Sequence, residues 1–327
     1  MKLRNFLKAS VAMAAVLTLS GLQAQGFPGK SMSMIVPYPA GGASDFVARK
    51  LQPDVAAALG QSMIVDNIGG AGGTIGLAKL LAAPADGHTM ALGTPMELIL
   101  APLAIQGVKV KPEDFKLVAQ IITTQMVLAV RPDMDVKNVD ELIALARKSG
   151  DKPLSYGSVG PGSLYHLIGE KFSQSLKVPM LHVPYKGVAQ VIPDLIGGQI
   201  DMAFLPLAGP IPATIADGKI KGLAVTSKTP HPLFKQLAPL AAQPGLAGME
   251  FDLWAGIQVP RNTPDDAVNK LNKAIYASLQ SPETRKALEA TGNTVLSAKS
   301  AVELDSIYKS EIERYRAIAK SINLQPQ

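Results

Sequence analysis

Cysteine is absent from the 327 residues. That excludes disulfides, thiolate zinc sites, iron–sulfur clusters and a cysteine nucleophile. Aromatics are few, with 8 Phe, 7 Tyr and 1 Trp. Charged residues are only 18% of the chain against 47% hydrophobic, so disorder, which needs the reverse balance, is excluded as well. Beyond the N-terminal segment no apolar run is long enough to cross a bilayer, which takes about 20 residues. The length suggests two domains, at roughly 100–200 residues each.

The N-terminus reads as a secretory signal peptide over residues 1–24. Lys2, Arg4 and Lys8 form a basic start, an apolar stretch runs from Ala9 to Leu19, and Gly21 precedes the small Ala24. Its removal takes away three basic and no acidic residues, so the net charge falls from +6 to +3. A basic balance of that size gives no reason to expect nucleic acid as a partner. The expected location is the periplasm.

The remainder alternates short β-type runs with helical stretches, an α/β pattern. Ser33–Val36, Met63–Val65 and Thr89–Gly93 read as strands, with helices at Ser44–Leu59 and Thr74–Ala82 between and after them. Ser44 is the expected N-cap of the first helix. Leu117–Ile122 and Met126–Val130 read as two separate strands. Asn138 and Glu141 form a capping box. Leu154–Tyr156 and Val178–Val183 read as strands around a helix at Ser163–Leu176. The helix Val188–Ile196 and the strands Asp201–Leu205 and Lys221–Val225 come next. The C-terminal part reads as mostly helical, with starts at Thr263-Pro264, Ser281-Pro282 and Ser300. No linker separates the two expected domains, which suggests strands crossing between them.

Glycine is plentiful, at 29 residues, and much of it falls in three strand–loop–helix segments. They run from Val36 to Asp45, from Asn67 to Gly76 and from Tyr156 to Ser163. Glycine lets a backbone approach a ligand closely. A helix N-terminus adds unpaired N–H donors and partial positive charge. Together they can hold an anion without Arg or Lys. The dinucleotide and P-loop spacings are not met, since Ile75 and Tyr165 stand where the last glycine of G-x-G-x-x-G would be. A small carboxylate suits these loops better than a nucleotide. A bulky side chain at Gly162 is expected to block the ligand's approach and leave the fold intact.

Catalytic patterns are weak. His88, His166, His182 and His231 show no metal-ligand spacing, so neither metal nor cofactor is expected. Tyr156 to Gly160 resembles a nucleophile elbow, with Tyr in place of the first Gly. A secreted hydrolase using Ser158 with a His is therefore the alternative to a non-enzymatic binding protein. Asp45, in the first helical turn, either caps the helix or orders a ligand donor. Tyr38, Phe46, Tyr165, Phe204 and Trp254 are candidates for a cleft wall.

These segments resemble the periplasmic receptors of tripartite tricarboxylate transporters, the TctC-like or Bug family. Pro37 to Arg49, Asn67 to Gly76, Asp86 to Thr89, Gly157 to Phe172, His182 to Gly187, Asp194 to Asp201, Leu223 to Ser227 and Trp254 to Pro264 carry the likeness. The resemblance implies a two-domain type II periplasmic-binding-protein fold with hinge strands crossing between the domains. It places one domain at 25–125 with 227–327 and the other at 126–226. It also implies capture of a small organic carboxylate by hinge motion, for delivery to integral membrane transporter subunits or to a sensor protein. Ala40, Gly41 and Gly42 would supply donors from one domain, with Ser44 and Asp45 beside them. Ser158, Gly160, Pro161, Gly162 and Ser163 would line the other side, and Tyr38, Thr94, Tyr185 and Asp201 would complete the walls. Thr94 to Leu98 departs from the family's usual small-polar run.

Overall fold

The computed structural model describes residues 26–231 and 233–326. The expected signal peptide lies outside the described residues. Eleven strands join in one curled sheet whose main order is β2 (Met63–Asn67), β1 (Met32–Val36), β3 (Thr89–Gly93), β10 (Asp252–Pro260), β4 (Phe115–Val130), β7 (Met202–Pro206), β5 (Ser155–Ser158) and β6 (Leu181–Pro184).

The chain begins with β1 (Met32–Val36), α1 (Ala43–Leu59), β2 (Met63–Asn67), α2 (Thr74–Ala82) and β3 (Thr89–Gly93). These strands are parallel, and β1 and β3, buried on both faces, are near-continuous apolar runs. Gly60 ends α1 in the left-handed conformation, returning N–H groups to the carbonyls of Ala56 and Ala57. A π-helical turn at Met96–Leu100 then runs into the short α3 (Ala101–Ala104).

The strand β4 (Phe115–Val130) is one uninterrupted element of 16 residues. Sequence reading broke it at Thr123–Gln125 because these are polar. Two of the three are buried and bonded: the Thr124 hydroxyl donates to Asn293 Oδ1 at 2.6 Å, and Gln125 Nε2 to the Thr229 carbonyl at 3.4 Å. From Phe115 to Gln125, β4 pairs antiparallel with β10 (Asp252–Pro260). From Met126 to Val130 it pairs with β7 (Met202–Pro206) and β8 (Lys221–Val225). One strand thus belongs to two half-sheets, and it changes partner at Gln125.

The second half-sheet holds α4 (Val139–Lys148), β5 (Ser155–Ser158), α5 (Leu164–Leu176), β6 (Leu181–Pro184), α6 (Val188–Ile196) and α7 (Ile211–Ala216) around β7 and β8. The expected strand start at Val178 is instead the cap of α5: Lys177 is left-handed and the Val178 N–H returns to the Ser173 carbonyl. Asn138 caps α4, accepting the Glu141 N–H at 2.9 Å. Through a small strand β9 (Ala238–Pro239) the chain returns to β10. Thr226 and Phe251 bond to each other at that return. Sequence reading missed β10, because Gly256 breaks its apolar run and the helix start at Thr263-Pro264 lies only three residues beyond its end.

The chain closes with α8 (Asp265–Ser278), α9 (Pro282–Glu289), β11 (Thr294–Val295) and α10 (Ala301–Ser321). Ser300 and Glu303 form the expected capping box on α10. Its stripe of Leu304, Tyr308, Ile312 and Tyr315 is buried against the largest core cluster. That cluster includes side chains from both half-sheets, so the crossing strand β4 runs through shared apolar packing.

Candidate functional site

The glycine loops come after β1, β2 and β5 at their carboxyl ends, the edge where ligands bind in open α/β sheets. Between the half-sheets lies a cavity of about 480 Å³. Gly41, Gly42 and Ser44 from the first loop and Thr94 after β3 line one side of it. The crossing strand β4 supplies Ile122 and Thr124, and its partner β10 supplies Leu253 and Trp254. Tyr165, Val188 and the segment Ala208–Ile211 after β7 close the other side.

The first loop keeps its helix N-terminus bare. Gly42, not Ser44, is the N-cap of α1, and no side chain bonds the first turn. Phe46 is the first residue whose N–H reaches back, to the Gly42 carbonyl at 3.0 Å. The N–H groups of Ala43 and Ser44 are therefore left over, as helix geometry requires, and they sit at the cavity. Asp45 faces the opposite way. Its carboxylate accepts Gly41 N–H at 2.8 Å and Arg49 Nε at 2.9 Å. The Arg49 bond, with that of Gly41, holds its pKa below the usual carboxylate range. Arg49 also donates to Asn67 Oδ1, and Asn67 donates to the Tyr38 carbonyl at 3.1 Å. Asp45 thus ties the loop down from behind. Ala40 is exposed at the loop tip, outside the cavity lining.

Beneath this loop lies a group that sequence reading passed over except as a departure from the family pattern. Glu97 is fully buried. It accepts the Tyr38 hydroxyl at 2.5 Å, the Thr94 hydroxyl at 2.7 Å and the Thr94 N–H. Burial pushes its carboxyl up to about 7. Tyr38 is held protonated by burial and by Glu97. The hydroxyl hydrogens of Tyr38 and Thr94 are therefore committed to Glu97 and not offered to a ligand.

The second glycine loop serves packing. A Cβ on Gly73 would come within 2.7 Å of the Glu97 side chain, and one on Gly76 within 2.8 Å of the Ile68 carbonyl. Neither residue lines the cavity.

The third loop is closed on itself. Ser158 is 1% exposed, bonds His182 Nε2 at 2.6 Å and accepts the Gly160 N–H at 3.0 Å. Gly162 N–H donates to His166 Nδ1 at 3.1 Å, and Ser163 caps α5 through the His166 N–H. Gly162 is left-handed, with φ of 74°, and a Cβ there would lie 1.9 Å from Ala104 Cβ. The expectation that a bulky residue at 162 would block a ligand and spare the fold is corrected: it would strike α3. Ser158, Gly160, Pro161, Gly162 and Ser163 do not line the cavity, whereas Tyr165, in the first turn of α5, does.

Two further candidates lie elsewhere. The Tyr185 hydroxyl donates to Asp194 at 2.8 Å, outside the cavity lining. Asp201 precedes β7 and takes Ser155 N–H at 2.8 Å and Arg131 Nε at 3.1 Å. Ser155 and Ser158 open and close β5, so Asp201 sits about 10 Å away, at the opposite edge of the sheet from the third loop. Of the aromatic candidates, Phe46, Tyr165 and Trp254 line the cavity, whereas Phe204 is core.

Among the described residues no cluster of His, Asp and Glu could hold a metal ion, and no helix is long and apolar enough to cross a membrane.

A family model for the tripartite tricarboxylate transporter family receptor, TctC, matches residues 47–324. A UPF0065 protein from the tcbD-tcbE intergenic region of Pseudomonas sp. (strain P51) is 32% identical, over 96% of this chain and 93% of that protein. The periplasmic binding protein BugD is 30% identical, with a TM-score of 0.76 over 92% of this chain and 100% of that one. Rpa4515 of R. palustris, solved with adipate, is 30% identical with a TM-score of 0.78, over 92% of this chain and 100% of that one. MatC of Rhodopseudomonas palustris, solved with bound malate, is 27% identical with a TM-score of 0.75, over 89% and 99%. The chain belongs to the tripartite tricarboxylate transporter receptor family and has its two-domain periplasmic-binding-protein fold.

Proposed function

We propose that this receptor is a non-enzymatic periplasmic solute-binding protein. It captures a small organic carboxylate between lobes formed by 25–125 with 227–327 and by 126–226. It then presents the acid to integral membrane transporter subunits or to a sensor protein. The observation that carries this reading is the bare N-terminus of α1, opening into a cavity bounded by both half-sheets and floored by β4 and β10. Such a terminus favours an anion through its free N–H groups and its dipole. A ligand touching both sides favours the closed arrangement, the ordinary logic of hinge closure. The malate and adipate held by two relatives are consistent with an acid as cargo.

A thermal-shift screen of carboxylates on the purified protein tests it. A true ligand at a hundred times its Kd should stabilise the fold by about 2.7 kcal/mol. No stabilisation by any acid at millimolar concentration refutes the reading.

The Ser158–His182 bond favours a hydrolase on first sight. Three observations weigh against it. Ser158 is buried away from the cavity. Burial and the neighbouring His166 lower His182 to about 4, which makes it a poor base at neutral pH. No carboxylate among the described residues bonds the His182 ring. Turnover of nitrophenyl esters that is lost in Ser158→Ala would reverse this assignment.

A further inference from the structure

One residue of the cavity wall is bonded to a buried acid behind it. Thr94 lines the cavity, and its hydroxyl donates to Glu97 Oε2 at 2.7 Å. The Tyr38 hydroxyl donates to the same oxygen at 2.5 Å. The other carboxylate oxygen, Oε1, accepts the Thr94 N–H.

The elements packed around Glu97 leave its charge uncompensated. The first loop supplies Tyr38, and the second supplies Gly73, where a Cβ would strike the Glu97 side chain. From β10 comes Gln258, fully buried, whose amide flanks Gly93 together with Glu97 Oε1 but is bonded to neither carboxylate oxygen. Tyr165 of α5 lies near enough to Tyr38 to feel its charge, and Tyr308 of α10 near enough to Glu97. Burial holds both phenols protonated. Among the described residues no Lys, Arg or His bonds Glu97. An isolated buried charge is costly, and burial accordingly pushes this carboxyl up to about 7.

A proton on Oε2 rearranges the bonds. The new O–H must donate to one of the two hydroxyl oxygens that face it, and that hydroxyl must turn its own hydrogen elsewhere. Thr94 has somewhere to turn. Its Oγ1 accepts the Met96 N–H at 3.2 Å and keeps a lone pair for the Glu97 proton, while its hydrogen can swing to an acceptor in the cavity. Tyr38 does not line the cavity. The free N–H groups of Ala43 and Ser44 face the same space, so a carboxylate held there can take the Thr94 hydrogen as well. The count closes: one proton enters from solvent onto Glu97, and Thr94 transfers its hydrogen bond from Glu97 to the acid. The same step removes a negative charge that opposes an anion at the wall.

We infer that Glu97 is a positioning residue for the cargo: the acid is captured together with one proton, which settles on Glu97 and releases Thr94 as a donor to the bound carboxylate. This rests on the carboxylate reading above and deepens it.

Isothermal titration with malate, adipate, benzoate and hexanoate tests the inference, at pH 6 and pH 8, in two buffers of unlike ionisation heat at each pH. At pH 6 Glu97 already holds its proton, and binding should take up no more than about 0.1 proton per acid. At pH 8 it should take up about 0.4 proton or more, with affinity at least about fivefold weaker than at pH 6. Glu97→Gln is neutral at both values, so its affinity should be flat and its uptake zero. Comparing the two proteins cancels protons carried by the acid itself and by His166 and His182. Thr94→Val, a second variant should Glu97→Gln not fold, should cut the wild-type affinity ratio between pH 6 and pH 8 by at least about half. Equal wild-type affinity at both pH values, equal uptake in Glu97→Gln, or an undiminished ratio in Thr94→Val overturns the inference and leaves the carboxylate reading standing. Binding of none of the four acids overturns both.

Discussion

Replacing Glu97 by Gln should abolish a specific part of the protein's pH dependence. Glu97 is completely buried, and that burial raises its carboxyl from 4.5 to about 7. Between these two values the folded chain keeps a proton that the unfolded chain has released. Stability is therefore greatest on the acid side of this window and falls as pH rises through about 7. The full interval corresponds to about 3.4 kcal/mol, of which about 2.5 kcal/mol is lost between pH 5 and pH 8. Asp252, raised to about 6 by burial, contributes with the same sign. His182, lowered by burial, contributes with the opposite sign at the acid end. Both remain in the variant and drop out of the difference. Urea unfolding of the two proteins at pH 5, 6.5 and 8 gives that difference directly. Wild type should lose about 2.5 kcal/mol more than Glu97→Gln across the range. A difference under about 0.5 kcal/mol, or one of opposite sign, refutes the argument that Glu97 is a buried acid without a compensating cation.

Two other substitutions separate local roles. Gly162→Ala should cost about 2–4 kcal/mol, because its Cβ would lie 1.9 Å from Ala104 Cβ and its φ is left-handed. A change below about 1 kcal/mol in urea unfolding would mean that the third loop slides off α3 freely. Ser44→Ala should weaken carboxylate binding about tenfold or more, the worth of one charge-assisted hydrogen bond. It should leave stability within about 0.5 kcal/mol, since Gly42 and not Ser44 caps α1. Equal affinity in calorimetry would remove the hydroxyl from the site.

Local rules determined much of this protein without reference to any tertiary contact. Alternating strand and helix patterns, the N-cap at Asn138, the capping box at Ser300 and the glycine stops placed most elements of the α/β chain. The same rules placed the first glycine loop at the start of α1, because strand end, glycine and helix start are adjacent in sequence. Tertiary structure decided what each loop does. Three loops with one local grammar take three roles. The first leaves its N–H groups free, the second packs against Glu97, and the third satisfies itself through His166 and Ser158. Nothing local distinguishes them, because hydrogen bonds to His182 or contacts with Ala104 join residues far apart in the chain. The strand β10, the burial of Glu97 and the apolar wall of Ile122, Leu253 and Trp254 were hidden for the same reason. Burial and the assignment of a donor's hydrogen are properties of packing, and only the assembled half-sheets fix them.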